Sequence, residues 1–340
     1  MAEIDPKTHS SMDIRAIILI SILCYISYYG NAEQNTATLS KEEELEIEDQ
    51  LKQLNKPAVK TIQVILIFSD GVIYNCVDFF KQPAFDHPLL KNHNFHYKHA
   101  VLRTKPGKRY NGGGVIMSLH NLSTIVRPQY SASQMTIKNG LDTIQVGWMV
   151  NPSLYGDSKT RLFTFFQAGG RSCFNTHCPG FVIVNTEIPL DFVFNSLSQR
   201  GERPFITRLF VYRDAANGNW WLLLGNSGTE IGFWPGRIFS SLNSGLGNYV
   251  EWGGEAYSPL GQPKNKNTPM GNGFRPKGDT TLDAFMEQIT TIDESHKQVI
   301  ATNTEVFSDN KSLYDVRDWG LEGTHGHMIS FGGPFISAAR

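Results

Sequence analysis

DTIQVGWMV, residues 142–150, alternates with a period of two. Ile144, Val146, Trp148 and Val150 fall on one face and Thr143, Gln145, Gly147 and Met149 on the other, because successive side chains of an extended chain point to opposite sides. The first set makes a core face. The second carries a single amide, Gln145, beside a glycine that leaves space next to it. The stretch therefore predicts a half-buried β-strand. It also asks whether Gln145 is merely solvated or faces a cleft where chemistry happens.

Working outward, the same signature repeats. VIMSLHNL, SASQMTIKN, TRLFTFFQ, GFVIVN, RLFVYRD, NWWLLLGN, TEIGFWP and NYVEWGGEAY are short segments rich in aromatic and β-branched residues. RLFVYRD-AANG-NWWLLLGN reads as a hairpin turning at Asn217-Gly218. LDAFMEQITTI (282–292) fits a strand or a helix and is read here as a strand. Residues 258–280 read as a long irregular loop. So many strands predict an all-β chain with two packed antiparallel sheets, an antiparallel β-sandwich.

The front of the chain differs. AIILISILCYISYY (16–29) is an apolar run followed by Gly30-Asn31-Ala32, the small residues a signal peptidase reads. It predicts a signal peptide over 1–32, hence a secreted, extracellular or vacuolar protein. The run is shorter than the ~20 residues of a membrane span. A helix is predicted from the capping box of Ser40 and Glu43 to Pro57. VKTIQVILIF then reads as a strand. A change of character near residues 95 to 110 divides a small α+β N-terminal segment (33–105) from the sandwich (106–340).

The balance of 40% hydrophobic and 19% charged residues, with net charge −1, suits a globular protein and offers no basic patch for nucleic acid. No membrane contact is expected after signal removal, and a monomer is expected. Among four cysteines, Cys24 lies in the signal, and Cys173 and Cys178 sit five apart in a turn-like stretch. In an oxidising compartment these two suit a local disulfide. The alternative is a metal held with His177, for which no second ligand pair is visible. Cys76 is left over. Asn121 and Asn310 head Asn-x-Ser sequons for glycosylation.

Phosphate-loop, HExxH and GxSxG motifs are missing from the sequence. His325 and His327 could hold a metal, though a plain loop is the simpler reading. NYVEWGGEAY says more. Period two puts Tyr249, Glu251, Gly253, Glu255 and Tyr257 on one face, so two carboxylates share a glycine-floored, tyrosine-edged surface. That is either a solvated outer face or a site for an extended polymer. Adjacent glycines in a strand mark a bulge or a close approach.

IQVGWMVNPSLYGDSKTRLFTFF, SCFNTHCPGFV, GNWWLLLGN, IGFWPGRIFSSL, VEWGGEAYSP and PMGNGFRP, in this order, resemble the neprosin family of plant secreted proteins. Upstream, DGVIYNCVDFFKQPAFDHPLLKNH resembles its activation peptide. The resemblance implies a zymogen with a β-sandwich catalytic domain, a glutamic endopeptidase that cleaves after proline in acid without metal or cofactor. Peptide or protein is then the substrate. The family's first glutamate precedes Ala-Gly-Trp, and Gln145 stands there in this chain. The second lies at Glu255 or Glu251, with Glu255 preferred. Trp148, Tyr249 and Tyr257 are then substrate-binding walls, and Cys173–Cys178 the retained disulfide. Glutamine cannot titrate, but its N–H can stabilise an oxyanion. The eqolisins, another group of β-sandwich glutamic peptidases, use such a Gln/Glu pair. The alternative is a catalytically inactive sandwich that binds peptide or cell-wall glycan.

Overall fold

The alternating segments form the strands that their pattern predicts. The computed structural model describes the backbone of residues 61–67 and 73–77 and the whole of 97–259 and 267–334. The predicted signal peptide and the helix starting at Ser40 lie outside the described residues. The chain divides into two units, 1–93 and 94–340. In the first, β1 (Thr61–Ile67) and β2 (Ile73–Val77) pair antiparallel.

In the second unit the strands are β3 (Tyr97–Thr104), β4 (Gly112–Ser118), β5 (Tyr130–Asn139), β6 (Asp142–Val150), β7 (Arg161–Ala168) and β8 (Arg171–Phe174). They continue with β9 (Val182–Ile183), β10 (Ile206–Arg213), β11 (Trp220–Leu224), β12 (Thr229–Trp234) and β13 (Tyr249–Tyr257). The last are β14 (Ala284–Ile292), β15 (Gln298–Ile300), β16 (Thr304–Ser308), β17 (Asp315–Glu322) and β18 (Gly326–Gly332). One sheet runs β16-β3-β13-β5-β6-β7-β8. The other runs β17-β18-β14-β4-β10-β11-β12-β9, with β15 on β14. All strand pairs are antiparallel, and β10–β11 is the predicted hairpin.

The two sheets pack face to face as a sandwich. Ile144, Val146, Trp148 and Val150 of β6 meet Val115 and Met117 of β4 in one core, which also buries Trp220, Trp234 and Trp252 completely. Trp148 donates its indole N–H to the Ser118 carbonyl across the sheets, at 2.9 Å. Cys173 and Cys178 form the expected disulfide.

Several details depart from the sequence reading. GFVIVN shortens to the two-residue β9, and β4 begins at Gly112 rather than Val115. The C-terminal strands β16 and β17 escape a pattern search because they are half exposed and polar. β3 starts ahead of residue 106 yet lies inside the first sheet, paired with β13 and β16, so the sandwich takes in residues of the segment set aside as 33–105. His325 ends a 3-10 turn and His327 is the second residue of β18. His325 bonds Glu287, whereas His327 bonds Asp318 at 2.9 Å and the Ala301 carbonyl at 2.8 Å, so the two rings serve different partners.

Candidate active site

The site follows from register. Side chains directly opposite one another in paired strands share a face. Glu251 of β13 stands opposite Arg103 of β3 and Thr136 of β5; Thr136 in turn stands opposite Gln145 of β6, and Gln145 opposite Phe165 of β7. With Glu305 of β16 outside Arg103 and Phe174 of β8 outside Phe165, one row crosses the whole sheet on the face away from the core. Gln145 and Glu251 are two strands apart in it, about 10 Å between backbones at ~4.8 Å per strand.

A second row reads Val101, Gly253, Gln134, Gly147, Phe163, and a third His99, Glu255, Ala132, Met149, Arg161. The two glycines of the second row are fixed by close backbone approach. A Cβ on Gly147 would sit 2.0 Å from the Ser133 carbonyl oxygen. One on Gly253, at φ +146°, would sit 2.3 Å from that of Ala100. Ala132, Met149 and Phe163 form a small apolar patch, packed by Tyr130, Leu154, Tyr155, Phe165 and Phe174. At its far side Arg161, Tyr155, Asn175 and Asp191 line a cavity of about 320 Å³.

The two glutamates differ in surroundings. Glu255 is held from three sides: by the Tyr130 hydroxyl, by His99 Nε2 at 3.2 Å and by Gln134 Nε2 at 3.1 Å. His99 is held in turn by Asp309 through Nδ1 at 2.9 Å, and its backbone N–H donates to the same carboxylate at 2.7 Å. Burial works against charge on Glu255, but the His99 hydrogen bond and positive charge, with Tyr130 and Gln134, bring its pKa down to about 2. Burial likewise works against the His99 imidazolium, yet Asp309 and Glu255 raise it to about 10. Three tyrosines, Tyr97, Tyr130 and Tyr257, cluster beside this network, with Tyr130 and Tyr257 stacked at 5.6 Å.

Glu251 is 4% exposed. Tyr249 donates its hydroxyl to Oε2 at 2.5 Å, and Lys138 Nζ lies 3.7 Å from Oε1. Burial raises its pKa, but Lys138, His99 and the Tyr249 hydroxyl more than offset this, so it falls below the usual carboxylate value. Among the described residues Oε1 thus meets only a distant ammonium, and it is the freer oxygen of the pair. No described residue hydrogen-bonds the half-buried Gln145 amide.

Residues 127–334, more than half of the chain, match the Neprosin family. The chain belongs to the Neprosin family. Residues 66–133 match the Neprosin activation peptide. Among solved structures, scytalido-glutamic peptidase bound to a transition state analog inhibitor is similar at 12% identity and TM-score 0.40, covering 71% of this chain and 99% of that one. SCP-B, a member of the eqolisin family of peptidases in complex with the tripeptide Ala-Ile-His, is similar at 11% identity and TM-score 0.37, over the same shares.

In this neprosin-family chain, Gln145, Glu251, Glu255, Tyr249 and Tyr257 share the outer face, whereas Trp148 does not. Trp148 is completely buried on the core face, as its place in the alternation demands, and is no wall of the cleft. Asn121 is exposed, and Asn310 is half-buried with its Oδ1 accepting from the Ser312 hydroxyl at 2.6 Å. The sequence reading passed over Gln134, Thr136, Tyr130, His99 and Asp309. Period two in SASQMTIKN sets Gln134 and Thr136 on one face and was a usable signal. His99 and Asp309 come from segments without a strand pattern, so only the fold brings them together.

Proposed function

We propose that this protein is a secreted glutamic endopeptidase, made as a zymogen, that cleaves proline-containing peptides in acid with one carboxylate, Glu251, and one amide, Gln145. The observation that carries this reading is the shared row: a buried glutamate and an amide with no hydrogen-bond partner among the described residues lie on one face, with a single threonine between them. Membership of the Neprosin family and the match to its activation peptide support the reaction class and the zymogen form.

A water above the row donates one proton to Glu251 as its oxygen bonds to the scissile carbonyl carbon. The Gln145 N–H bonds the resulting oxyanion. Glu251 then passes that proton to the amide nitrogen as the C–N bond breaks, leaving a carboxyl and an amine with Glu251 ionised again. Glu255, locked by His99, Tyr130 and Gln134, fixes the β13 backbone and the Tyr130 ring and takes no proton. Tyr249 and Tyr257 flank the bound peptide. The activation-peptide match runs to residue 133, but β3 pairs inside the sheet that carries Glu251 and Gln145, so the proposed pro-segment ends ahead of Tyr97.

The test is cleavage of proline-containing peptides from pH 2.5 to 7 by the acid-treated full-length protein and by Gln145→Ala. Cleavage by the wild type and a ~100-fold loss in the variant support the reading. No cleavage by the wild type, with peptide still bound, leaves a binding module of the same fold.

A further inference from the structure

Thr136 stands between Glu251 and Gln145, opposite both in the register of β5. It is 0% exposed, and its hydroxyl has no hydrogen-bond partner among the described residues. Two other hydroxyls of this sheet are in the same condition, Ser131 and Thr164. They pair with Val150 and Val146, and so they point into the sandwich core. Thr136 alone of the three points to the face that carries the carboxylate and the amide.

A buried hydroxyl without a partner is a cost to the folded chain. Valine has nearly the same shape, suits a strand equally well and carries no such cost. The hydroxyl therefore reads as a group whose partner arrives with the reactants.

We propose that Thr136 is a third catalytic residue, whose hydroxyl holds the attacking water together with Glu251; this rests on the glutamic-peptidase reading above. The water has two protons to place. One goes to the Glu251 carboxylate, and the other is bonded by Thr136 Oγ1, which turns an oxygen lone pair towards the scissile carbonyl. The first proton moves to Glu251 as the C–O bond forms, and the second stays on the new hydroxyl. Thr136 gains and loses nothing. A single carboxylate fixes only one of the water's protons, and Thr136 Oγ1 offers an acceptor for the other.

The experiment compares Thr136→Val and Thr136→Ser in the acid-treated full-length protein, by steady-state cleavage of a proline-containing fluorogenic peptide. Thr136→Val is expected to lose about 100-fold in kcat, with KM and Tm little changed. Thr136→Ser is expected to recover to within ~10-fold of the wild type, because it restores the oxygen. If the valine variant fails to fold, Thr136→Ser and Thr136→Ala are compared, and serine must exceed alanine by ~10-fold in kcat. An active wild type whose kcat survives Thr136→Val within ~2-fold overturns the role of Thr136 and leaves the peptidase reading standing. A wild type that cleaves nothing overturns both.

Discussion

Gln145 and Glu251 occupy one cross-strand row of the seven-stranded sheet, two strands apart, with only Thr136 between them. Glu255 is four residues further along β13, about 13 Å along the strand, and belongs to a different row. Two side chains reaching over a threonine from either side can grip one small reactant. Gln145 and Glu255 face each other only diagonally, with Gln134 in between and already bonded to Glu255.

One carboxylate and one amide make a site with a single essential ionisation. Its kcat/KM is expected to rise with pH through the pKa of Glu251, which lies below the usual carboxylate value, and then to level. Gln145→Glu places two carboxylates in the row, and repulsion raises one of their pKa values. The profile of that variant is expected to become bell-shaped, with a new falling limb on the alkaline side. Profiles of both proteins from pH 2.5 to 7 check this; a bell in the wild type would speak for a second titrating group.

The Asp309–His99–Glu255 network is expected to govern stability rather than turnover. Glu255, lowered to about 2, stabilises the fold above the unfolded carboxylate pKa of ~4.3 and loses that contribution as pH falls towards 2. His99, raised to about 10, contributes fully below its unfolded pKa of ~6.5 and loses its share as pH rises towards 10. Both contributions coexist near pH 5 to 6. His99→Gln is expected to cost about 2–3 kcal/mol there, less than a fully buried pair because the ring is 30% exposed. The gap is expected to narrow towards both extremes. Urea melts of the two proteins across the range measure it.

The glycines under the site tolerate no side chain. Gly147→Ala forces a Cβ into the Ser133 carbonyl, and Gly253→Ala adds a strained φ to a similar clash. Each is expected to destabilise by about 3 kcal/mol or more, visible as a lower Tm. Gly107→Ala, whose Cβ meets nothing within 4 Å, is the comparison at a strained φ without a clash.

β3 pairs with β13 from Tyr97 to Arg103 and brings His99 to Glu255. Activation that removed it would open the sheet beside the site. N-terminal sequencing of the acid-matured protein is therefore expected to find a start ahead of Tyr97. A start beyond Thr104 would contradict this.

The sandwich was legible because alternation is a local signal, and it placed Gln145, Glu251 and Glu255 on the outer face correctly. It also placed Trp148 on the core face; only the resemblance suggested a wall residue there, and the alternation was the better guide. What remained hidden is what depends on pairing. Which glutamate shares a row with Gln145 is a matter of register between β13, β5 and β6, and no single strand records it. His99 and Asp309 are 210 positions apart and meet only because β16 joins the edge beyond β3. The polar edge strands β16 and β17 lack the apolar alternation that marks the interior ones.

The work on the water is assigned to Glu251 and not to Glu255. The most direct test is turnover of a proline-containing peptide at acid pH by Glu251→Gln and Glu255→Gln side by side, each checked for fold by near-UV circular dichroism. Glu251→Gln is expected to lose ~10³-fold or more in kcat with the fold kept, and Glu255→Gln to be less stable but measurably active. An active Glu251→Gln beside a folded, inactive Glu255→Gln would contradict it.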